Sequence, residues 1–350
     1  MSAIEPDSDK QKKIHERVRS LILQSSDKIT QNIQVTTGRI FDTRLKKIQS
    51  YKGAGGKTYV IEAVLSTSLA GEIDGGIVLK FANDLEAEVD NAKKLAQLLT
   101  SRQTDWDNWK KNHEISSRIR RFPDLVFAPE VIHVIPEVNA LILEFLSGFT
   151  PLLQLPVEPA DRWGYAGYAL ARLHGSKRQK INIQLYNPIL KLLKPCINEK
   201  YINFWVEILE QSRGGVEYIH GDSHLSNMLV SPTRIAWIDA ILLPELDRMD
   251  DVGYIISHAV QENIAENIGF GINNSKLIKS ITRSWVPIIL TYYKQTFDIS
   301  QLYTQLPLDF FIGSHLIIRA RLWEKEIATI LTRIGQKFIY EMPISNMLQD

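Results

Sequence analysis

The chain has 350 residues, 44% of them hydrophobic and 23% charged, with 41 basic against 40 acidic side chains and a formal net charge of +1. That length allows one large or two ordinary domains with a buried core, and a charge near zero offers no bulk field to draw nucleic acid or an anionic membrane. The single cysteine, Cys196, excludes an internal disulfide and fits a reducing compartment.

No apolar run approaches the roughly 18 residues that span a bilayer. The polar start MSAIEPDSDKQKKIHERVRS is unlike a signal peptide, so a cytoplasmic protein is expected. Residues 10–25 place Ile14, Val18, Leu21 and Ile22 on one helical face opposite a basic one, predicting a helix packed on the main body, with a partner-binding or membrane-surface helix as the other reading. Residues 33–81 alternate and carry turn residues, which predicts a small antiparallel sheet with hairpins and a Gly-rich turn at AGEIDGG before IVLKFA. LEAEVDNAKKLAQLL (85–99) has helical periodicity. Residues 100–124 are polar and contain Trp106, Trp109 and RIRRFPD. APEVIHVI and ALILEFL read as strands separated by PEVN. DRWGYAGYALARLHGS predicts one amphipathic helix ending at Gly175. Beyond it the chain is mostly helical, with short strands at YIHGD, MLVS and IAWID. A β-rich half therefore precedes a larger α-rich half, with the junction near Ser147–Gly148.

The stretch YIHGDSHLSNMLV (218–230) concentrates the chemistry, and three readings compete for it. Gly221-Asp222-Ser223 could be a serine-hydrolase block, but such a block sits near the start of its domain with an Asp-x-x-His near the end. None of the eight histidines here has an aspartate three residues before it, and there is no G-x-S-x-G elbow. His220 and His224 are spaced as metal ligands, but that spacing converges only on a helix, and Gly221 after a β-type run argues against one. Phosphoryl transfer explains more positions: it needs a carboxylate near the acceptor hydroxyl and oxygen ligands for Mg²⁺ near the phosphates. Asp222 can be the carboxylate. Asn227 supplies a neutral oxygen, and Asp239, ending the second strand of the MLV–SPTR–IAWID pair, a charged one.

HGDSHLSN followed by WID resembles the catalytic and metal segments of the aminoglycoside phosphotransferase and choline kinase group, whose pattern is His-Gly-Asp-x-His-x-x-Asn and then Ile-Asp on the next strand. Every fixed position is matched, YALARLHGS resembles the helix that ends Leu-His-Gly in that family, and the likeness runs from about residue 45 to 260. The resemblance implies an α+β, protein-kinase-like two-lobe fold: an N-terminal helical extension (1–34), a small antiparallel β-rich N-lobe (35–146) and a larger helical C-lobe (147–350), with an ATP-binding cleft. It implies Asp222 as the catalytic carboxylate, Asn227 and Asp239 as Mg²⁺ ligands, and Asp251 in DDVGYI as a structural brace of the catalytic loop. It also implies Lys80 as the strand lysine on the α/β-phosphates, braced by Glu88 with Glu86 as the competitor, and a hinge in which the backbone of Glu144 and Leu146 bonds adenine.

YKGAGGKTYV contains Gly-Lys-Thr, but a Walker loop needs glycine at position 51, which is Tyr, and a helix after it. Gly53, Gly55 and Gly56 are taken instead as the loop over the phosphates; Lys57 either touches a phosphate or is solvated. Three departures from the family stand out. Gly221 sits where protein kinases have Arg, so activation-loop phosphate control is not expected. The 100–124 segment is longer than the usual link, an embellishment or, like 1–34, a surface for a protein partner. Nothing after residue 260 matches a substrate motif. The expected function is ATP- and Mg²⁺-dependent transfer of the γ-phosphoryl group to the hydroxyl of a small molecule, with no nucleic acid and no membrane span. A cationic acceptor would be met by Glu245 or Asp247 of the acidic run beyond the metal strand, the other reading of that run being a solvated loop. A catalytically silent nucleotide-binding module in a larger assembly, or a protein kinase, are the alternatives.

Overall fold

In the computed structural model, residues 8–24, 40–53, 56–67, 71–267, 274–297 and 307–344 are described. In chain order the elements are α1 (Ser8–Gln24), β1 (Ile40–Gly53), β2 (Gly56–Thr67), β3 (Gly71–Ala82), α2 (Leu85–Asn112), β4 (Leu125–Phe127), β5 (Val131–Ile135), β6 (Ala140–Glu144) and β7 (Thr150–Pro151). There follow α3 (Pro159–His174), α4 (Asn187–Leu193), α5 (Glu199–Gln211), β8 (Tyr218–Ile219), β9 (Met228–Val230), β10 (Arg234–Trp237) and β11 (Leu243–Pro244). The chain closes with α6 (Met249–Asn267), α7 (Asn274–Ser280), α8 (Val286–Phe297), α9 (Leu308–Ala320) and α10 (Lys325–Glu341). The architecture is mixed α+β, with small, mainly antiparallel sheets and a helical C-terminal part. Two units form: residues up to Ala96 with Pro129–Gly148, and Gln97–Ala128 with Phe149 onward.

The first unit is a five-stranded antiparallel sheet in the order β1-β2-β3-β6-β5. Strand periodicity sorts β3: Ile77 and Leu79 point one way, and Val78 and Lys80 the other. Val18, Leu21 and Ile22 of α1 pack on Ile77, Leu79, Ala140 and Ile142, which uses the helix's apolar stripe. Of the Gly-rich stretch read as a turn, AGEIDGG, residues 71–76 are strand instead: β3 pairs with β2 from Gly71↔Thr67 through Ala82↔Gly56. Gly75 and Gly76 do not break the strand, because β2 holds them in register as partners of Ala63 and Glu62.

Helix α2 runs well beyond residue 99. Asp84 caps its start, accepting from Ala87 N at 3.0 Å. Its buried stripe continues past Leu95, Leu98 and Leu99 through Arg102 to Trp106, with Arg102 only 4% exposed. Arg102 sits there because Leu173 O, Asp105 and Glu217 accept from it, at 3.3, 3.5 and 3.0 Å. Trp106 donates to Asp124 Oδ1 at 2.8 Å and packs edge-on against Tyr168 and Phe297, and the Arg172 guanidinium lies 4.6 Å from its ring. The middle of the segment expected to be an embellishment or partner surface is thus part of the second unit's own core.

In that second unit β4, β10, β9 and β7 form one sheet, with β4 parallel to β10, and β8 pairs with β11. The sheet presents Trp237, fully buried, to α3, where its Nε1 donates to Ala169 O at 3.3 Å. Helix α3 ends at Gly175, whose φ of +70° is costly for any residue with a Cβ. Helices α3 and α8 approach so closely that a Cβ on Gly167 would stand 2.2 Å from Ile289 O.

Candidate active site

The loop between β8 and β9 carries the HGDSHLSN residues and is held from below by α6. His220 N and Gly221 N donate to Asp251 Oδ2 and Oδ1, at 2.7 and 3.1 Å, and Ser223 Oγ donates to Asp251 O at 3.0 Å. His174 Nε2 lies 2.9 Å from the same Oδ2, while its Nδ1 meets Tyr293 Oη at 2.8 Å. A neutral imidazole donating through Nε2 and accepting at Nδ1 satisfies both contacts. Burial pushes the His174 pKa down. Burial would raise that of Asp251, but the bonds from His174 and the nearby charges hold it below the usual carboxylate range.

His220 is fully buried; its Nε2 meets Ile238 O at 3.0 Å, its Nδ1 accepts from Asp222 N at 3.3 Å, and its ring tilts against Trp237. It fastens the loop to β10, and Gly221 makes the bend with φ +77°. Ser223 is buried and engaged with Asp251, with no base on its hydroxyl, so the hydrolase reading fails. Among the described residues no group of three or more His, Cys, Asp or Glu could hold a metal, so a histidine-based zinc site fails too.

Asp222 is left facing outward with its side chain 29% exposed. Asn227, buried, donates from Nδ2 to Asp222 O at 2.9 Å and to Asp222 Oδ2 at 3.2 Å. That fixes the amide orientation and makes Oδ1 the atom Asn227 can offer to a cation. Ile238 N donates to Asn227 O at 3.0 Å, which brings the end of β10, and Asp239 after it, beside Asn227. Asp239 is exposed, with a left-handed φ of +55°; Asp tolerates that region better than most residues. An amide oxygen and a carboxylate suit Mg²⁺, which binds few protein oxygens and completes its shell with water and phosphate.

In the first unit Lys80 Nζ lies 2.6 Å from Glu88 Oε2, the side chains 10% and 24% exposed; Glu86 is exposed. Glu144 N–H donates to Glu130 O at 3.0 Å within the sheet. Leu146, half-buried, lies inside a tight turn in which Ser147 N donates to Phe145 O at 3.1 Å, before Gly148 at φ +76°. Gly53 and Gly56 close the β1–β2 hairpin as register partners; Gly55 and the Lys57 side chain lie outside the described residues.

The acidic run departs from expectation. Asp247 is fully buried, accepting from Ser212 Oγ at 2.5 Å and Met249 N at 2.9 Å, and burial pushes its pKa up. Arg248 is equally buried, donating to Gly214 O and Lys177 O. Asp247 cannot meet a cationic acceptor, and the run is not a solvated loop: only Glu245 is exposed, 3.4 Å from Asn182 Nδ2.

Sequence reasoning missed Tyr254. Its hydroxyl donates to Asp222 Oδ1, and burial raises its pKa, so it stays a donor. Asp250, Tyr254, His258 and Glu262 recur every four residues on α6 beside the loop; that i, i+4 polar stripe was the available signal. His224 stacks on His258 with centroids 4.5 Å apart, and burial lowers its pKa to about 4.

No family model matches the chain, and no curated protein matches it. Among solved structures, it is similar to an amicoumacin kinase in complex with AMP-PNP, Ca²⁺ and Ami, at 13% identity over 93% of this chain and 97% of that one, TM-score 0.46. It is similar to a choline kinase from Cryptosporidium parvum at 12% identity over 96% and 100% of the two chains, TM-score 0.46. It is also similar to a glucosamine kinase at 11% identity over 88% and 93%, TM-score 0.44. At these identities and TM-scores the likenesses assign neither a substrate nor a residue role.

Proposed function

We propose that the chain is a phosphotransferase with a protein-kinase-like two-lobe fold (35–146 and 147–350), moving the γ-phosphoryl group of ATP to a hydroxyl of a small molecule. The observation that carries this reading is the loop geometry. Asp222 stands at the surface with both carboxylate oxygens oriented by donors, Asn227 on one and Tyr254 on the other. A carboxylate has about four acceptor sites, so the acceptor hydroxyl can still donate to Asp222. Asp222 then orients that hydroxyl and takes its proton as the oxygen attacks phosphorus.

Asn227 Oδ1 and the Asp239 carboxylate are the oxygens that would hold magnesium. The ion, when bound, supplies charge neutralisation at the phosphate oxygens. Lys80, oriented by Glu88, would hold the α/β-phosphates, and the Glu144 carbonyl and Leu146 the adenine edge. His224 is a weak base for this reaction, since burial lowers its pKa to about 4, and its ring is stacked on His258.

Two variants test the reading. Asp222→Asn removes the charge that accepts the proton, and turnover should fall by about 10²–10⁴ with Mg-ATP binding retained. Asp239→Ala should weaken Mg-ATP while adenosine affinity stays the same, as read by calorimetry with both ligands. Equal weakening of both ligands would point to misfolding. Unchanged turnover in Asp222→Asn would remove that residue from its role. Mg-ATP binding with no turnover of any hydroxyl compound would make the chain a silent nucleotide-binding module.

A further inference from the structure

Between Asp239 and Glu245 the backbone enters the left-handed region three times: φ is +55° at Asp239, +40° at Leu242 and +54° at Glu245. Asp tolerates that region, but a leucine rarely enters it. The segment is held there along its length. Ile241 N and Leu242 N both donate to His220 O, at 2.9 and 3.2 Å, Leu243 pairs with Ile219 in the β11–β8 ladder, and Asn182 N donates to Glu245 O at 2.9 Å. Strain of this kind persists only where the surrounding structure fixes it, and it gathers at ligand sites.

What the segment presents is apolar. Leu242 is buried, while Ile241 and Leu243 on either side of it are 51% and 38% exposed and form a small ledge. Both side chains lie against the loop that carries Asp222: a Cβ on Gly221 would stand 3.3 Å from Ile241 Cβ and from Leu243 Cγ and Cδ1. Gly221 directly precedes Asp222, and consecutive Cα atoms are only ~3.8 Å apart. Two partly exposed aliphatic side chains present far less than the ~800 Å² per partner that a stable protein interface buries, so the occupant that fits is a small molecule. A hydroxyl or a charge laid on the ledge would exchange water for carbon with no hydrogen bond in return.

We propose that the acceptor carries an apolar group, a branched alkyl chain or a carbon ring, within a few bonds of the hydroxyl that is phosphorylated, and that Ile241 and Leu243 receive this group beside Gly221. The inference rests on the phosphotransferase reading. With the hydroxyl at Asp222, the group next to it comes within reach of both side chains. Polyols bearing a hydroxyl on every carbon are then poor acceptors, and alcohols with one apolar end are good ones.

The test measures ADP release from ATP by the full chain with neutral primary alcohols of rising apolar bulk, ethanol, 2-methylpropan-1-ol and cyclohexylmethanol, and with glycerol. kcat/KM should rise about two- to fourfold for each carbon added, the worth of a methylene partly or wholly buried, and glycerol should fall below 2-methylpropan-1-ol. The paired substitution Ile241→Thr with Leu243→Thr keeps β-branched side chains in place and should flatten that rise. It should take about tenfold or more from cyclohexylmethanol, the worth of a few methylenes, and least from ethanol. A loss of equal size for every alcohol, or a preference for glycerol, overturns the inference. Where no alcohol is turned over, broadening of the cyclohexylmethanol NMR signals by the Asp222→Asn chain with Mg-ATP decides the case without chemistry. Broadening that the threonine pair abolishes supports the ledge and lays the missing turnover on the phosphotransferase reading. No broadening, or broadening that survives the threonine pair, sinks the proposal. So does a dimer in sedimentation that the threonine pair dissolves, since that gives the ledge to a second copy of the chain.

Discussion

Asp251 is the residue whose loss should cost the second unit most. It is 1% exposed and accepts from two backbone N–H groups, at 2.7 and 3.1 Å, and from the His174 ring at 2.9 Å. Asp251→Ala leaves all three donors buried with no acceptor. A stranded buried donor costs about 1–3 kcal/mol; with some relaxation and water entry the three together should cost about 3–5 kcal/mol. Asp251→Asn keeps one acceptor oxygen and should cost about half as much. Urea unfolding followed by tryptophan fluorescence reads the difference, since Trp237 is buried against His220 and reports this loop. A shift equivalent to less than about 1 kcal/mol in the alanine variant, well under the penalty for even two stranded donors, would show that the loop does not depend on this carboxylate. Equal costs for Ala and Asn would refute the oxygen-by-oxygen accounting.

Lys80→Met removes the charge proposed to contact the phosphates, and kcat/KM for ATP should drop by about 10- to 100-fold; a drop confined to the acceptor KM would contradict the assignment. Acid should destabilise the fold from near neutrality. Burial lowers His174 and His220, and His224 sits at about 4, so below the unfolded histidine value of ~6.5 the unfolded chain binds protons first. Stability is then full above ~6.5 and falls as pH drops toward 4, with Asp251, also depressed, adding its loss at lower pH still. Urea midpoints at pH 7.5 and 5 check this, and a flat profile would contradict it. Gly167→Ala puts a Cβ 2.2 Å from Ile289 O, a backbone atom that cannot swing aside. The α3–α8 contact must open, costing about 2 kcal/mol or more, which thermal unfolding would detect.

Periodicity was legible wherever the buried face was apolar. Helix α1 could be read because Val18, Leu21 and Ile22 fall on one stripe and that stripe is what packs. The contact of Lys80 with Glu88 follows from a strand lysine on the far face from Leu79 and a helix that begins at Leu85. Where the buried face is polar, the sequence misleads. The second half of α2 reads as a surface segment because Arg102 replaces an apolar residue in the stripe, and its partners Leu173 O and Glu217 are 71 and 115 residues away. Asp247 reads as an acceptor contact or part of a solvated loop for the same reason: Ser212, which satisfies it, is distant in sequence, as are Gly214 and Lys177, which accept from its neighbour Arg248. Glycine counts mislead at AGEIDGG, since pairing with β2 overrides the weak strand preference of Gly75 and Gly76.

One helix sets the geometry of the loop from two directions. Near the start of α6, Asp251 holds His220 N and Gly221 N, fixing where the chain turns at a positive φ. One turn later, Tyr254 reaches the carboxylate of Asp222 itself. Residues three apart on a helix lie on one face, so a single rigid element controls both the backbone and the side chain of the proposed base. The loop then cannot shift without breaking bonds at both positions. This is the preorganisation a positioned carboxylate needs, since donors already in place require no rearrangement as charge moves during transfer. The next position on that stripe, His258, stacks on His224 and continues the face past the base. The helix that fixes Asp222 is therefore also the surface along which a small acceptor would lie.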